Sequence, residues 1–162
     1  MTVVCFSCGG AFADASGGTT HAYMTSTPGC WDAYSAVLAR EYQNAVLFGR
    51  CHRLTVDAYA VQHPGDPAER RARQSFWIHG ASMWMVLRMG RPHEEATAAL
   101  KSLAQGDFPV PPASPAFTLT HADVLCAPEA EHEVRVKAWA EAALAGCPEA
   151  HATFAALAQR VV

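Results

Sequence analysis

The sequence predicts an all-α fold, a bundle of about five to seven helices carrying a short, irregular N-terminal CxxC segment of zinc-knuckle type. Three observations predict it. Between Pro28 and Val161 apolar residues recur at spacings of three and four, the period of a helix face rather than the alternation of a strand. The breaks between these runs carry Pro, Gly and capping residues in the order that starts and stops helices. The first 28 residues lack the periodicity and hold instead Cys5-Phe6-Ser7-Cys8-Gly9-Gly10 and Ser16-Gly17-Gly18-Thr19-Thr20.

The elements follow in order. Thr27-Pro28 reads as an N-cap with Pro at the first helical position, and Trp31, Tyr34, Leu38 and Tyr42 carry the first helix to about Tyr42. Gln43-Asn44 breaks the chain. Val46, Leu47, Leu54, Ala58 and Val61 then mark a second helix, which stops at His63-Pro64-Gly65. Asp66-Pro67-Ala68-Glu69 supplies a capping acid, Pro at N1 and Glu at N3 for a third helix running to Gly90. Pro92-His93-Glu94-Glu95 opens a fourth, with Ala96, Ala99, Leu100 and Leu103 on one face and Gly106 at its end. Asp107 to Thr118, with Pro109, Pro111, Pro112 and Pro115, is expected to cross the surface as a stiff connection. Thr120 to Asp123 caps a short helical turn, Pro128 opens a longer helix closed by Gly146, and Pro148 starts the last, with Phe154, Leu157 and Val161. No strand is expected. At 162 residues the chain fits a single domain, with residues 1–28 as a metal-binding loop segment and 29–162 as the bundle.

The N-terminal segment is too poor in apolar periodicity to order itself, and its two cysteines, two residues apart, can bite one tetrahedral Zn(II) ion. Cys30 stands at the start of the first helix. If the second helix returns antiparallel at about 1.5 Å per residue, His63 comes back to the level of Cys30. The expected ligand set is Cys5, Cys8, Cys30 and His63, with His21 as the alternative to His63. The same geometry carries the third helix back down, so that His79 arrives near His52 with Asp57 one turn above. His52, Asp57 and His79 are therefore the candidate catalytic cluster, either around a metal with an open position or for proton transfer. His52 and Asp57 are five apart, which is not the i, i+4 spacing of metal-binding helices. His93, His121, His132 and His151 are expected at the surface.

Composition narrows the function. Twelve Lys and Arg against fifteen Asp and Glu give a net charge of -3, which offers no field toward phosphate backbones or anionic membranes. No apolar run approaches the roughly 18 residues needed to span a bilayer, so the expected location is the cytoplasm. Thiols there stay reduced, which favours metal ligation over disulfides.

Cys5-Phe6-Ser7-Cys8-Gly9, Ser26-Thr27-Pro28-Gly29-Cys30-Trp31 and His52 through Gly65 together resemble DUF5946, a bacterial family of unknown function. The resemblance covers most of the chain. It implies a shared architecture and supplies no reaction. The expected role is that of a zinc-binding helical module with a structural ion and an unknown protein or small-molecule partner. The alternatives are a metal-dependent hydrolase or transferase using His52, Asp57 and His79, and a CxxC thiol redox protein.

Overall fold

The computed structural model describes residues 1–113 and 117–162. Seven α-helices are present among them: α1 (Pro28–Gln43), α2 (Ala45–Gln62), α3 (Arg70–Met89), α4 (His93–Leu103), α5 (His121–Leu125), α6 (His132–Ala145) and α7 (His151–Gln159). Two short 3-10 turns, Glu129–Glu131 and Pro148–Ala150, lead into α6 and α7. No described helix is long and apolar enough to cross a membrane.

The N-terminal segment departs from the strandless expectation. Strands β1 (Thr2–Val4) and β2 (Ala11–Ala13) pair antiparallel, with Val3 opposite Phe12. Each strand is too short for hydrophobic patterning to reveal, and only Phe12 of the six strand residues is buried. An isolated two-stranded hairpin is marginal in water. This one leans on α1, where a Cβ added at Gly29 would strike the Ala13 carbonyl.

Helix α2 lies at the centre, against α1, α3 and α6. Its buried run from Asp57 through Gln62 continues into His63. A helix apolar or buried on most sides needs partners all round, and α2 has them. The inward stripe of α1 is Cys30, Tyr34, Val37 and Glu41. Tyr42, read from spacing as part of the apolar face, is 66% exposed, because Glu41 takes the inward position beside it.

Most ends behave as the sequence suggests. Asn44 accepts from the Val46 and Leu47 amides at the start of α2. Thr120 and Asp123 close a capping box on α5. Arg40 gathers the Val124, Leu125 and Ala127 carbonyls at the far end of that short helix. Helix α3 starts later than Asp66. The Asp66 side chain caps a separate turn through the Ala68 amide, and Arg73 holds the Pro67 and Ala68 carbonyls outside the helix. The crossing after α4 is not wholly superficial: Phe108 is buried, and Arg73 and Trp77 donate to the carbonyls of Phe108 and Pro109. Pro115 falls outside the described residues.

At Gly80 α3 passes close to α7, and an added Cβ would overlap the Phe154 ring. Gly49 on α2 has open space. We expect Gly80→Ala to lose roughly 1–3 kcal/mol through overpacking, and Gly49→Ala to gain about 0.5–1 kcal/mol of helix propensity. Urea unfolding of the two variants measures the opposite signs.

Candidate metal centre

Three chain segments deliver four side chains to one point. Between β1 and β2 the chain turns tightly: Cys5 N–H donates to the Gly10 carbonyl at 2.8 Å and Gly9 N–H to the Cys5 carbonyl at 2.9 Å. Gly9 has φ +76, a left-handed conformation that glycine adopts without Cβ strain. This turn points Cys5 and Cys8 inward, each 1% exposed. Cys30 enters from the first turn of α1 and His63 from just beyond the end of α2, both at 0%.

The ligand atoms of Cys5, Cys8, Cys30 and His63 all lie within 4.8 Å of one another. Among the described residues they are the one group of three or more Cys, His, Asp or Glu so gathered. Cys8 Sγ is 4.0 Å from Cys30 Sγ, and Cys30 Sγ is 3.2 Å from His63 Nε2. A tetrahedron with bonds of about 2.3 Å to sulfur and about 2.0–2.1 Å to nitrogen has S–S edges near about 3.8 Å and S–N edges near about 3.6 Å. The observed edges bracket those lengths, so the cluster has the size of a metal site.

The surroundings match as well. His63 Nδ1–H donates to the Tyr59 carbonyl at 2.8 Å, which leaves the Nε2 lone pair facing the sulfurs. Tyr59 stacks on the His63 ring at 3.8 Å and on Tyr34 at 3.7 Å, fixing the imidazole plane. The Gly10 amide points at Cys8 Sγ. His121 Nε2–H donates to the Cys30 carbonyl at 3.0 Å and lies 3.6 Å from Cys30 Sγ.

Without a cation the three thiols cannot all ionise. Hydrogen bonds with Cys30 and Cys8 draw Cys5 far below its ordinary value against the effect of burial. Cys30 is driven far upward by its bonds with Cys5 and Cys8 and then by burial. For Cys8 the bond with Cys30 acts downward, but Cys5 and burial outweigh it and push the thiol up to about 12. Burial and like-charge repulsion thus oppose the ionisation of all three thiols together. A divalent cation removes that obstacle and releases protons as it binds.

His21 does not join the cluster. Its Nδ1 accepts from the Tyr23 and Met24 amides, and its ring packs on Tyr23 and Trp31, so it shapes the loop leading to α1.

The candidate catalytic trio does not assemble either. His79 Nδ1–H donates to Asp57 Oδ1 at 2.8 Å, but His52 Nδ1–H donates to Glu41 Oε2 at 2.9 Å. Asp57 is completely filled by partners: Arg53 at 2.6 Å and Ser82 at 2.6 Å complete its set. The rotation between positions five apart turns His52 toward α1 while Asp57 faces α3.

The residue that spacing missed is Glu41, fully buried and bound by His52, by His132 at 3.0 Å and by Thr55 at 2.5 Å. Burial raises the Glu41 carboxyl, but its bonds from His132, His52 and Thr55 win and hold it below the ordinary carboxylate range. Burial likewise raises Asp57, and the charge of Arg53 with the bond from His79 outweighs it. His132 and His121, expected at the surface, are both at 0% exposure. His132 is enclosed with its Nε2 against Glu41 Oε1. Burial, and then the nearby His63, push His121 down to about 3, so it packs as a neutral ring among Phe12, Tyr34 and Tyr59. A signal existed for Glu41: it sits at helical spacing from Tyr34 and Val37, an acid on an otherwise inward stripe.

These features define a helical bundle to which a hairpin is joined through a buried Cys3His cluster able to hold a metal ion. The chain belongs to the family of unknown function DUF5946, whose model matches residues 3–147. No curated protein and no solved structure matches it.

Glu41 and Asp57 titrate lower in the fold than in the unfolded chain. Their stabilisation is complete above the unfolded carboxylate range, near about pH 4, and is lost as pH falls through the folded values. We expect unfolding free energy to drop below about pH 4.5, each group adding a slope of up to about 1.4 kcal/mol per pH unit. In Asp57→Asn that slope becomes shallower, which denaturant titrations between about pH 3 and 7 measure.

Proposed function

We propose that Cys5, Cys8, Cys30 and His63 hold one zinc ion of structural role, and that the protein is a zinc-stabilised helical module that binds a protein or small-molecule partner in the cytoplasm. The observation that carries this reading is the convergence of four buried ligand atoms within 4.8 Å of one another. Closed four-ligand Cys/His sites are the structural type, whereas catalytic zinc keeps a position for water. Burial at 0–1% leaves no such opening here. Three soft thiolates and a borderline neutral imidazole are a donor set that zinc takes in reduced compartments. The net charge of -3 argues against nucleic acid or an anionic membrane as the partner.

The two enzymatic readings have less support. A thiol redox centre needs an accessible thiolate, and Cys5 and Cys8 are closed off. A metal hydrolase on His52, Asp57 and His79 needs three converging ligand atoms, whereas His79 meets Asp57 and His52 turns to Glu41.

Protein purified without added zinc should carry about one zinc per chain. Cys5, Cys8 and Cys30 should resist alkylation until a chelator is added, while the exposed Cys126 reacts at once. Metal-free protein whose three thiols alkylate as fast as Cys126 would contradict the assignment. Cys30→Ser should lose the metal and on the order of 3–5 kcal/mol of stability, whereas Cys126→Ser should change it by less than about 0.5 kcal/mol.

A further inference from the structure

The hairpin has an inner strand and an outer one. Helix α1 packs on β2, and β1 lies on the far side with Thr2, Val3 and Val4 all exposed. The flanking bonds fix which way each β1 residue points. Asp14 N–H donates to the Met1 carbonyl at 3.2 Å and Cys5 N–H to the Gly10 carbonyl at 2.8 Å, so the odd positions, with Val3 opposite Phe12, bond inward across the hairpin. The amides and carbonyls of Thr2 and Val4 therefore face outward, and no other backbone group of the described residues meets them.

Such an edge is a template for another strand unless charge, proline or a bulge blunts it. None does here: residues 1–13 hold no Asp, Glu, Lys, Arg, His or Pro, and the register of β1 on β2 is unbroken. The side chains add to the exposure. Of the ten large apolar residues left exposed among the described ones, four, Met1, Val3, Val4 and Phe6, lie in the first six positions. Val4 is 64% and Phe6 71% exposed. Apolar residues scattered singly over a surface need no explanation, but a cluster of them beside open backbone groups does.

We propose that β1 pairs antiparallel with β1 of a second copy of this chain, joining the two hairpins into one continuous sheet. The edge selects its own copy because it is self-complementary. About a two-fold axis through Val3, Thr2 stands opposite Val4 of the second copy, and each outward N–H meets an outward carbonyl. A shift by one residue would set outward groups against inward ones. The two Val3 residues face each other as a non-hydrogen-bonded pair, where side chains approach most closely. With no charged side chain on either strand, like meets like without repulsion. The three-residue length limits the strength, so the contact belongs to the small, transient class of interface, half associated near about 0.1 mM. It rests on the proposed metal only through the hairpin that the cluster anchors.

Sedimentation of the full chain from about 10 µM to about 1 mM reads the pairing. We expect monomer to pass into dimer across that range, with the Thr2 and Val4 amides gaining protection from hydrogen exchange as it does. Val4→Lys places like charges beside the axis and should raise the dimer dissociation constant at least about tenfold, with circular dichroism and metal content unchanged. Thr2→Lys, at the other outward-facing position, should do the same. Val46→Lys, at an exposed apolar position elsewhere, should leave the constant within about twofold. A chain that stays monomeric at about 1 mM overturns the proposal. So do a dimer whose Thr2 and Val4 amides exchange as fast as the monomer's, Val4→Lys and Thr2→Lys variants that both associate like the parent, and a Val46→Lys variant weakened as much as they are. Metal content of the same samples separates the two readings: a metal-loaded monomer leaves the zinc site standing, and a metal-free dimer leaves the pairing standing.

Discussion

The hairpin of β1 and β2 has one buried apolar side chain of its own, Phe12, and contributes Cys5 and Cys8 from the turn between its strands. Those two sulfurs meet Cys30 from the first turn of α1 and His63 from the end of α2. Everything at that end of the molecule is arranged around this meeting. The Gly29 surface of α1 is flat enough to receive the Ala13 carbonyl, Tyr59 sets the plane of His63, and His121 braces Cys30 from α5. A segment that buries so little cannot offset its own ordering entropy, which for each residue is of order 1–2 kcal/mol. On the proposed reading, a metal bound by thiolates supplies that difference, and folding and ion binding at this end are one event.

Along the other length of α2 the interior is polar in a different way. Two buried carboxylates, Glu41 and Asp57, are each ringed by imidazole, hydroxyl and, for Asp57, guanidinium groups. Isolated, each charge would cost several kcal/mol to bury. With partners from α1, α2, α3 and α6, they fix the rotation of four helices against one another, since a helix turned by one position would leave a charge unpaired. Trp139 and Gln62 extend the same seam, with the indole N–H on Gln62 Oε1 and the Gln62 amide on the Leu119 carbonyl. A purely apolar bundle would slide more easily than this one.

Much of the fold was legible because helix starts and stops are local chemistry. Thr27-Pro28, Asn44, Thr120 with Asp123, and Gly90 with φ +64 mark ends that need no tertiary information. The convergence of Cys30 and His63 was also legible, because a helical hairpin of known rise returns the chain to the same height. What spacing could not show was azimuth. It put Tyr42 inside and overlooked Glu41, and it joined His52 to Asp57 when the helical rotation sends them to different neighbours. Buried histidines are similarly hidden, since nothing local distinguishes His121 and His132, which are enclosed, from His93 and His151, which are partly exposed. The hairpin escaped notice because three-residue strands fall below the length at which alternation can be read.

On the proposed reading, three thiolates and one imidazole surround the ion. X-ray absorption at the zinc K-edge of the purified full chain reads the donor set directly. Three sulfur neighbours at about 2.3 Å and one nitrogen at about 2.0–2.1 Å are expected. A shell dominated by oxygen and nitrogen, or one with a single sulfur, would contradict that reading.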